Sequence, residues 1–137
     1  MANPLLGEYK IDLNGLSYDL KLSMSVIASY EDELNSDFMA DAYAGIQAMV
    51  EAAQCKDQPA KYASILCRAV SRNKAAMLVY LAAKESNSQV ELGEIHEAFL
   101  VDHALDDARF HPAIFTTLAL FAIQGKKPKK KDNSKAG

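Results

Sequence analysis

Glu8-Tyr9-Lys10-Ile11-Asp12-Leu13-Asn14-Gly15-Leu16-Ser17-Tyr18-Asp19-Leu20-Lys21-Leu22 decides how the rest of this 137-residue chain is read. Tyr9, Ile11 and Leu13 alternate with polar residues, and Leu16, Tyr18, Leu20 and Leu22 alternate again beyond Asn14-Gly15. A period of two places one set of side chains on one face of a strand. Asn-Gly tolerates the positive φ of the tight turn whose twist matches paired strands, so residues 8–22 are expected to form a β-hairpin.

With Asn14 and Gly15 as the turn, Glu8 stands opposite Lys21, Lys10 opposite Asp19, Tyr9 opposite Leu20 and Ile11 opposite Tyr18. Opposite charges meet on one face and apolar groups on the other. Each such pair contributes about 0.2–1 kcal/mol, and a slip of one residue would turn the charges inward, so the register is strongly specified. A lone hairpin is marginal in water, so its apolar face needs cover from helices or from another molecule.

After Ser23 the period lengthens. Val26, Ile27, Tyr30 and Leu34 recur three or four apart behind Ser23 or Ser25 as cap, which predicts a helix that Asn35-Ser36-Asp37 interrupts. A second stripe runs through Phe38, Ala42, Ile46, Met49, Val50 and Ala53 and ends near Cys55. Pro59 suits the first turn of a third helix carrying Tyr62, Ile65, Leu66, Ala69 and Val70. Ser71-Arg72-Asn73-Lys74 holds no strong breaker before Met77, Leu78, Leu81 and Ala82, so one kinked helix or two separate helices fit equally. Ser88 with Glu91 matches a capping box ahead of Leu92, Ile95, Phe99 and Leu105. His111-Pro112 restarts the chain into an apolar helix of Ile114, Phe115, Leu118, Phe121 and Ala122, with Gly125 as its C-terminal cap. The expectation is a mainly α protein with an N-terminal β-hairpin (α+β), five or six helices around one core, in a single domain over residues 1–125.

Half of the residues are hydrophobic, enough for one core in a chain of this length. The net charge of −3 hides an asymmetry: residues 126–137 hold six lysines against Asp132, a balance of +5 that leaves −8 on the rest. Lys126, Lys127, Lys129, Lys130 and Lys131 belong to a tail with no large apolar residue, which is expected to be disordered in the free protein. Such a tail can bind nucleic acid through released counterions, dock a partner or keep the chain soluble. The acidic body argues against the first. Two cysteines, Cys55 and Cys67, are too few for a disulfide framework and fit a reducing compartment, the cytoplasm. The first residues show no secretory signal. The longest apolar run, Ala113 to Ile123, is too short for a bilayer core of about 30 Å.

Chemistry-bearing patterns are sparse. His96, Glu97, Asp102, His103 and His111 form the best constellation. His96 and His103 lie two helical turns apart, too far to chelate one metal, and the three histidines read as surface residues. Cys67 beside Arg68 reads as a buried structural thiol. The glycines are scattered and build no phosphate loop, and the acidic runs Glu31-Asp32-Glu33 and Asp102 to Asp107 lack the spacing of a calcium loop. No catalytic residue, cofactor or metal is assigned, and the chain is not expected to be an enzyme.

Gly7-Glu8, the hairpin around Asn14-Gly15, the strand Tyr18-Asp19-Leu20-Lys21-Leu22-Ser23 and the helix element Tyr30-Glu31-Asp32-Glu33-Leu34 resemble the tail proteins of long-tailed bacteriophages and gene transfer agents. The pattern of that group is a Gly-Glu start, a short strand, a glycine turn, a Tyr-x-Leu-x-Leu-Thr strand and a helix with an apolar-Glu element. Ser23 stands where threonine is usual, and the likeness spans about a quarter of the chain. Among these proteins the chain is most similar to the tail assembly chaperones. The resemblance implies a non-catalytic factor of the bacterial host cytoplasm that binds the tape measure protein and helps recruit the major tail protein, which builds the tail tube, with homo-oligomers possible. It also implies a longer frameshifted product, for which codons of the lysine runs would serve.

Tyr9, Ile11, Tyr18 and Leu20 on the hairpin, with Phe38 and Met39, are the candidate partner-binding residues, though for any one of them a place in the core is the commoner fate. A virion structural protein, a tail tube or terminator subunit, is the alternative, against which stands the single hairpin, since tubes are built from larger sheets. A small DNA-binding regulator is more distant, because no helix is rich in Arg, Lys, Asn or Gln.

Overall fold

The computed structural model describes residues 8–13, 15–86, 89–101 and 110–125. Strand β1 (Glu8–Leu13) pairs antiparallel with β2 (Leu16–Lys21), and helices α1 (Met24–Leu34), α2 (Phe38–Ala52), α3 (Pro59–Ala69), α4 (Arg72–Glu85), α5 (Leu92–Val101) and α6 (His111–Gly125) follow, with a 3-10 turn at Ala53–Cys55 after α2. The protein is therefore mainly helical with an N-terminal two-stranded hairpin. The register is the expected one, from Glu8 opposite Lys21 to Leu13 opposite Leu16, and Gly15 takes φ +80°, where a Cβ would be strained. Lys10 and Asp19 form an exposed ion pair at 3.6 Å. The turn residue Asn14, the capping residue Ser88, and Asp102, His103 and Leu105 lie outside the described residues, as does the lysine tail.

Local chemistry places the helix ends. Ser23 accepts from the Val26 N–H at the start of α1, and Asn35 closes that helix in the left-handed region at φ 49°. Asp37 supplies no side-chain cap to α2. The Glu31 carboxylate, one helix earlier, does so by accepting from the Phe38 N–H at 2.8 Å. Pro59 opens α3. The ambiguous stretch after it is a true break: Val70 is extended, and the Ser71 hydroxyl accepts from the Lys74 N–H to start α4. The capping-box reading is corrected at α5, where the first helical residue is Leu92 and the Glu91 carbonyl accepts from Glu94 and Ile95. Glu91 thus occupies the cap position itself, not the third position of the helix.

Helices α4 and α6 form the centre. Ala75, Ala76, Ala82 and Ala83 of α4 are fully buried, and their small side chains let β2, α1, α5 and α6 all approach one helix. The principal core joins Leu13, Tyr18, Leu20 and Leu22 of the hairpin region to Tyr30, Phe38, Leu78, Phe99, Phe115 and Leu118. A smaller apolar cluster lies beside it, where Ala48, Ala52 and Cys55 meet Tyr62, Ile65, Leu66 and Phe110.

Helices α2 and α6 pack closely at Gly45. A Cβ at Gly45 would fall 2.5 Å from Thr116 Oγ1 and 3.3 Å from Val70 Cγ2. Thr116 cannot easily rotate away, because its hydroxyl donates to the Pro112 carbonyl at 2.8 Å. Gly45→Ala is expected to cost about 1–2 kcal/mol net, overpacking of about 1–3 kcal/mol being partly offset by alanine's better helix propensity. Thermal unfolding should show a midpoint lower by several degrees.

Candidate interaction groove

The hairpin covers the helices unevenly. Strand β2 lies over α4, and its Tyr18 and Leu20 are buried. On β1 the matching Tyr9 and Ile11 are half-buried, because that strand runs along the border of the helical layer. Between β1, α2 and α6 opens a groove of about 440 Å³ lined by Tyr9, Ile11, Met49, Ala113, Ile114, Thr117 and Leu118. Tyr9, one of its walls, rests on Phe121, ring centroids 5.0 Å apart at 59°. On the two helices that line it, the neighbouring Val50 and Leu120 are 64% and 37% exposed.

The six side chains singled out from the sequence divide accordingly. Tyr9 and Ile11 line the groove together. Tyr18, Leu20 and Phe38 belong to the core, where Phe38 packs its ring edge-on to Tyr30 and tilted to Phe115, so these three are not available to a partner. Tyr18 also donates its hydroxyl to the Glu94 carboxylate; burial and that carboxylate push the phenol up to about 12. Met39, 39% exposed, sits at the start of α2 and outside the groove. Lys126, Lys127, Lys129, Lys130 and Lys131 fall outside the described residues. Met49, Ile114 and Leu118 were visible in the sequence only as members of apolar helical stripes; their meeting with β1 is a product of the tertiary fold.

The groove carries one hydroxyl, Thr117, and one phenol, Tyr9, among otherwise apolar walls. It offers contact area and shape, and its described lining has no acid, thiol or imidazole. Elsewhere, two sequence readings need correction. His111 is no surface histidine: it is buried between the rings of Phe99 and Phe110, and its Nε2–H donates to the Val70 carbonyl at 3.1 Å. Burial lowers its pKa below the ordinary histidine value against the pull of that hydrogen bond, and Arg72 adds to the lowering. Cys67 is exposed, because α3 turns Tyr62, Ile65 and Leu66 inward and the next residue outward, and the buried thiol is Cys55 of the 3-10 turn. His96, half-buried, accepts at Nδ1 from Arg72 Nε at 3.2 Å. Among the described residues no three His, Cys, Asp or Glu side chains are grouped to hold a metal, and no helix is long and apolar enough to cross a membrane.

One buried charged group is not revealed by apolar spacing. Asp41 of α2 accepts from Tyr30 Oη at 2.8 Å and Ser36 Oγ at 2.7 Å on one oxygen, and from Lys74 Nζ at 2.9 Å on the other, so it ties α1, α2 and α4 together. Burial raises its pKa, but the bonds from Lys74, Ser36 and Tyr30 outweigh burial and leave it below the ordinary carboxylate value. A carboxylate on the same helical face as Phe38, Ala42 and Gly45 was the available signal. Comparison of the chain with protein-family models, with curated proteins and with solved structures found no match.

Proposed function

We propose that the chain is a tail assembly chaperone of a long-tailed bacteriophage, acting without catalysis in the host cytoplasm by holding an apolar segment of the tape measure protein while tail tube subunits are recruited. The observation that carries the reading is the groove beside β1, whose walls are mostly apolar and whose edge is formed by the hairpin on which the likeness to phage tail proteins rests. An amphipathic helix can lay an apolar stripe into such a hollow, and Val50 and Leu120 extend the apolar surface on the flanking helices. The alternative of a tube or terminator subunit draws less support, since the described sheet has only two strands.

Co-expression with a tape measure protein from the same phage tests the reading. Wild-type chain is expected to co-purify with it and keep it soluble. Met49→Asp and Thr117→Glu, which place charge in the groove at half-buried and exposed positions, should abolish co-purification while leaving the far-ultraviolet circular dichroism unchanged. A tape measure protein that stays insoluble and unbound with the wild-type chain overturns the proposal.

A further inference from the structure

The outer edge of β1 points to a specific partner. Leu13 and Leu16 face each other across a two-residue turn, so the pairs Leu13–Leu16, Ile11–Tyr18 and Tyr9–Leu20 exchange backbone hydrogen bonds. The N–H and C=O groups of Glu8, Lys10 and Asp12 then point away from β2, and among the described residues they take no backbone partner outside the hairpin. Lys10 and Asp12 are exposed. A free edge of this kind is a template for another strand.

We infer that β1 pairs antiparallel with β1 of a second copy, around a two-fold axis at Ile11, to give a four-stranded sheet. Charge complementarity selects both the occupant and the register. Pairing Lys10 with Lys10 sets like charges opposite each other. Pairing Lys10 with Glu8 overlaps only the start of the strand. Pairing Lys10 with Asp12 of the second copy overlaps Tyr9 to Leu13 and forms the same contact twice, as an isologous interface requires.

Across the four strands each charged row then reads Asp19, Lys10, Asp12 and Ser17, the last two from the second copy. Lys10 already pairs with Asp19, and Ser17 already donates to Asp12, which has no ion pair among the described residues. On the opposite face, Ile11 stands opposite Ile11 of the second copy and Tyr9 opposite its Leu13, while each Tyr18 stays behind Ile11 in its own core. The added strand lies about 4.8 Å from β1 and, with Ile11 of the second copy beside Ile11 of the first, walls off the groove. Where the tail-assembly reading holds, self-pairing and tape measure binding exclude one another; the dimer itself does not depend on that reading.

Sedimentation equilibrium of the whole chain is expected to show a monomer–dimer equilibrium weakened by salt. Asp12→Lys and Lys10→Asp should each raise the dissociation constant at least about tenfold, whereas the two variants mixed should form a heterodimer, since positions 10 and 12 are then both basic in one copy and both acidic in the other. Ile11→Cys in a Cys67→Ser background should oxidise to a disulfide-linked dimer, because residues at the two-fold lie opposite each other at a bridgeable distance. Wild-type chain that stays monomeric at every concentration overturns the inference. So do charge variants that associate as the wild type does, or an Ile11→Cys chain that fails to cross-link.

Discussion

Phe115→Ala is expected to be the most destabilising single substitution, by about 3–5 kcal/mol, in a fold of ordinary total stability of about 5–15 kcal/mol. Phe115 is fully buried on α6. Its ring lies 5.9 Å from that of Tyr30 and 6.3 Å from that of Phe38, so one side chain joins α6 to α1 and α2. Truncation removes the transfer free energy of the ring and leaves a cavity that the surroundings fill only in part, since α2 and α6 are already close-packed at Gly45 and Thr116. Urea unfolding should show a much lower midpoint with an unchanged slope. A loss below about 1 kcal/mol would mean that the three aromatic rings do not form the centre of the core.

Asp41→Ala is the second, with an expected loss of about 2–4 kcal/mol at neutral pH. The substitution strands the buried Tyr30 hydroxyl and removes the acceptor for Ser36. Lys74 keeps partial access to water, so its ammonium can rehydrate, which holds the cost below that of a fully enclosed pair. The pH dependence follows from the direction of each shift. Asp41 has a lowered folded pKa, so its contribution is complete above the unfolded value near pH 4 and is lost as pH falls through the folded one. Tyr30 is raised by burial first and by Asp41 and Glu31 next, and Tyr18 is raised to about 12. Their contributions are complete below about pH 10 and disappear as pH rises beyond it. Asp41→Ala should therefore flatten both the acid limb below pH 4 and part of the alkaline limb above pH 10 in a plot of stability against pH. Unchanged limbs would refute the assignment.

The hairpin was legible to the residue because three signals agree there: period two, an Asn-Gly turn and opposed charges at matching positions. Five of the helices were legible from apolar spacing alone. The break before α4 was not, since Val70 leaves the helix for tertiary reasons: its carbonyl takes the His111 imidazole and its side chain packs near Gly45. The start of α5 was misplaced because Ser88 and Glu91 satisfy a local pattern that the chain does not use there. The candidate site was half legible. Apolar positions on the hairpin can be read from alternation, but which strand lies over the core and which borders the groove depends on how the hairpin sits on α4. Tyr18 and Leu20 thus went inward while Tyr9 and Ile11 stayed within reach of a partner. The exposure of Cys67 has a like cause, the rotation of α3 set by its neighbours, whereas Cys55 is buried at the 3-10 turn after α2.

The missing Cβ at Gly45 gives the hollow beside β1 a fixed gauge. With α2 seated against Thr116, the two helical walls have no room between them at that point for one added carbon. Whatever enters must match a mould cast in advance, so the ordering entropy of association falls on the guest alone. Side chains one methylene too bulky should then be rejected in discrete steps rather than by gradual accommodation.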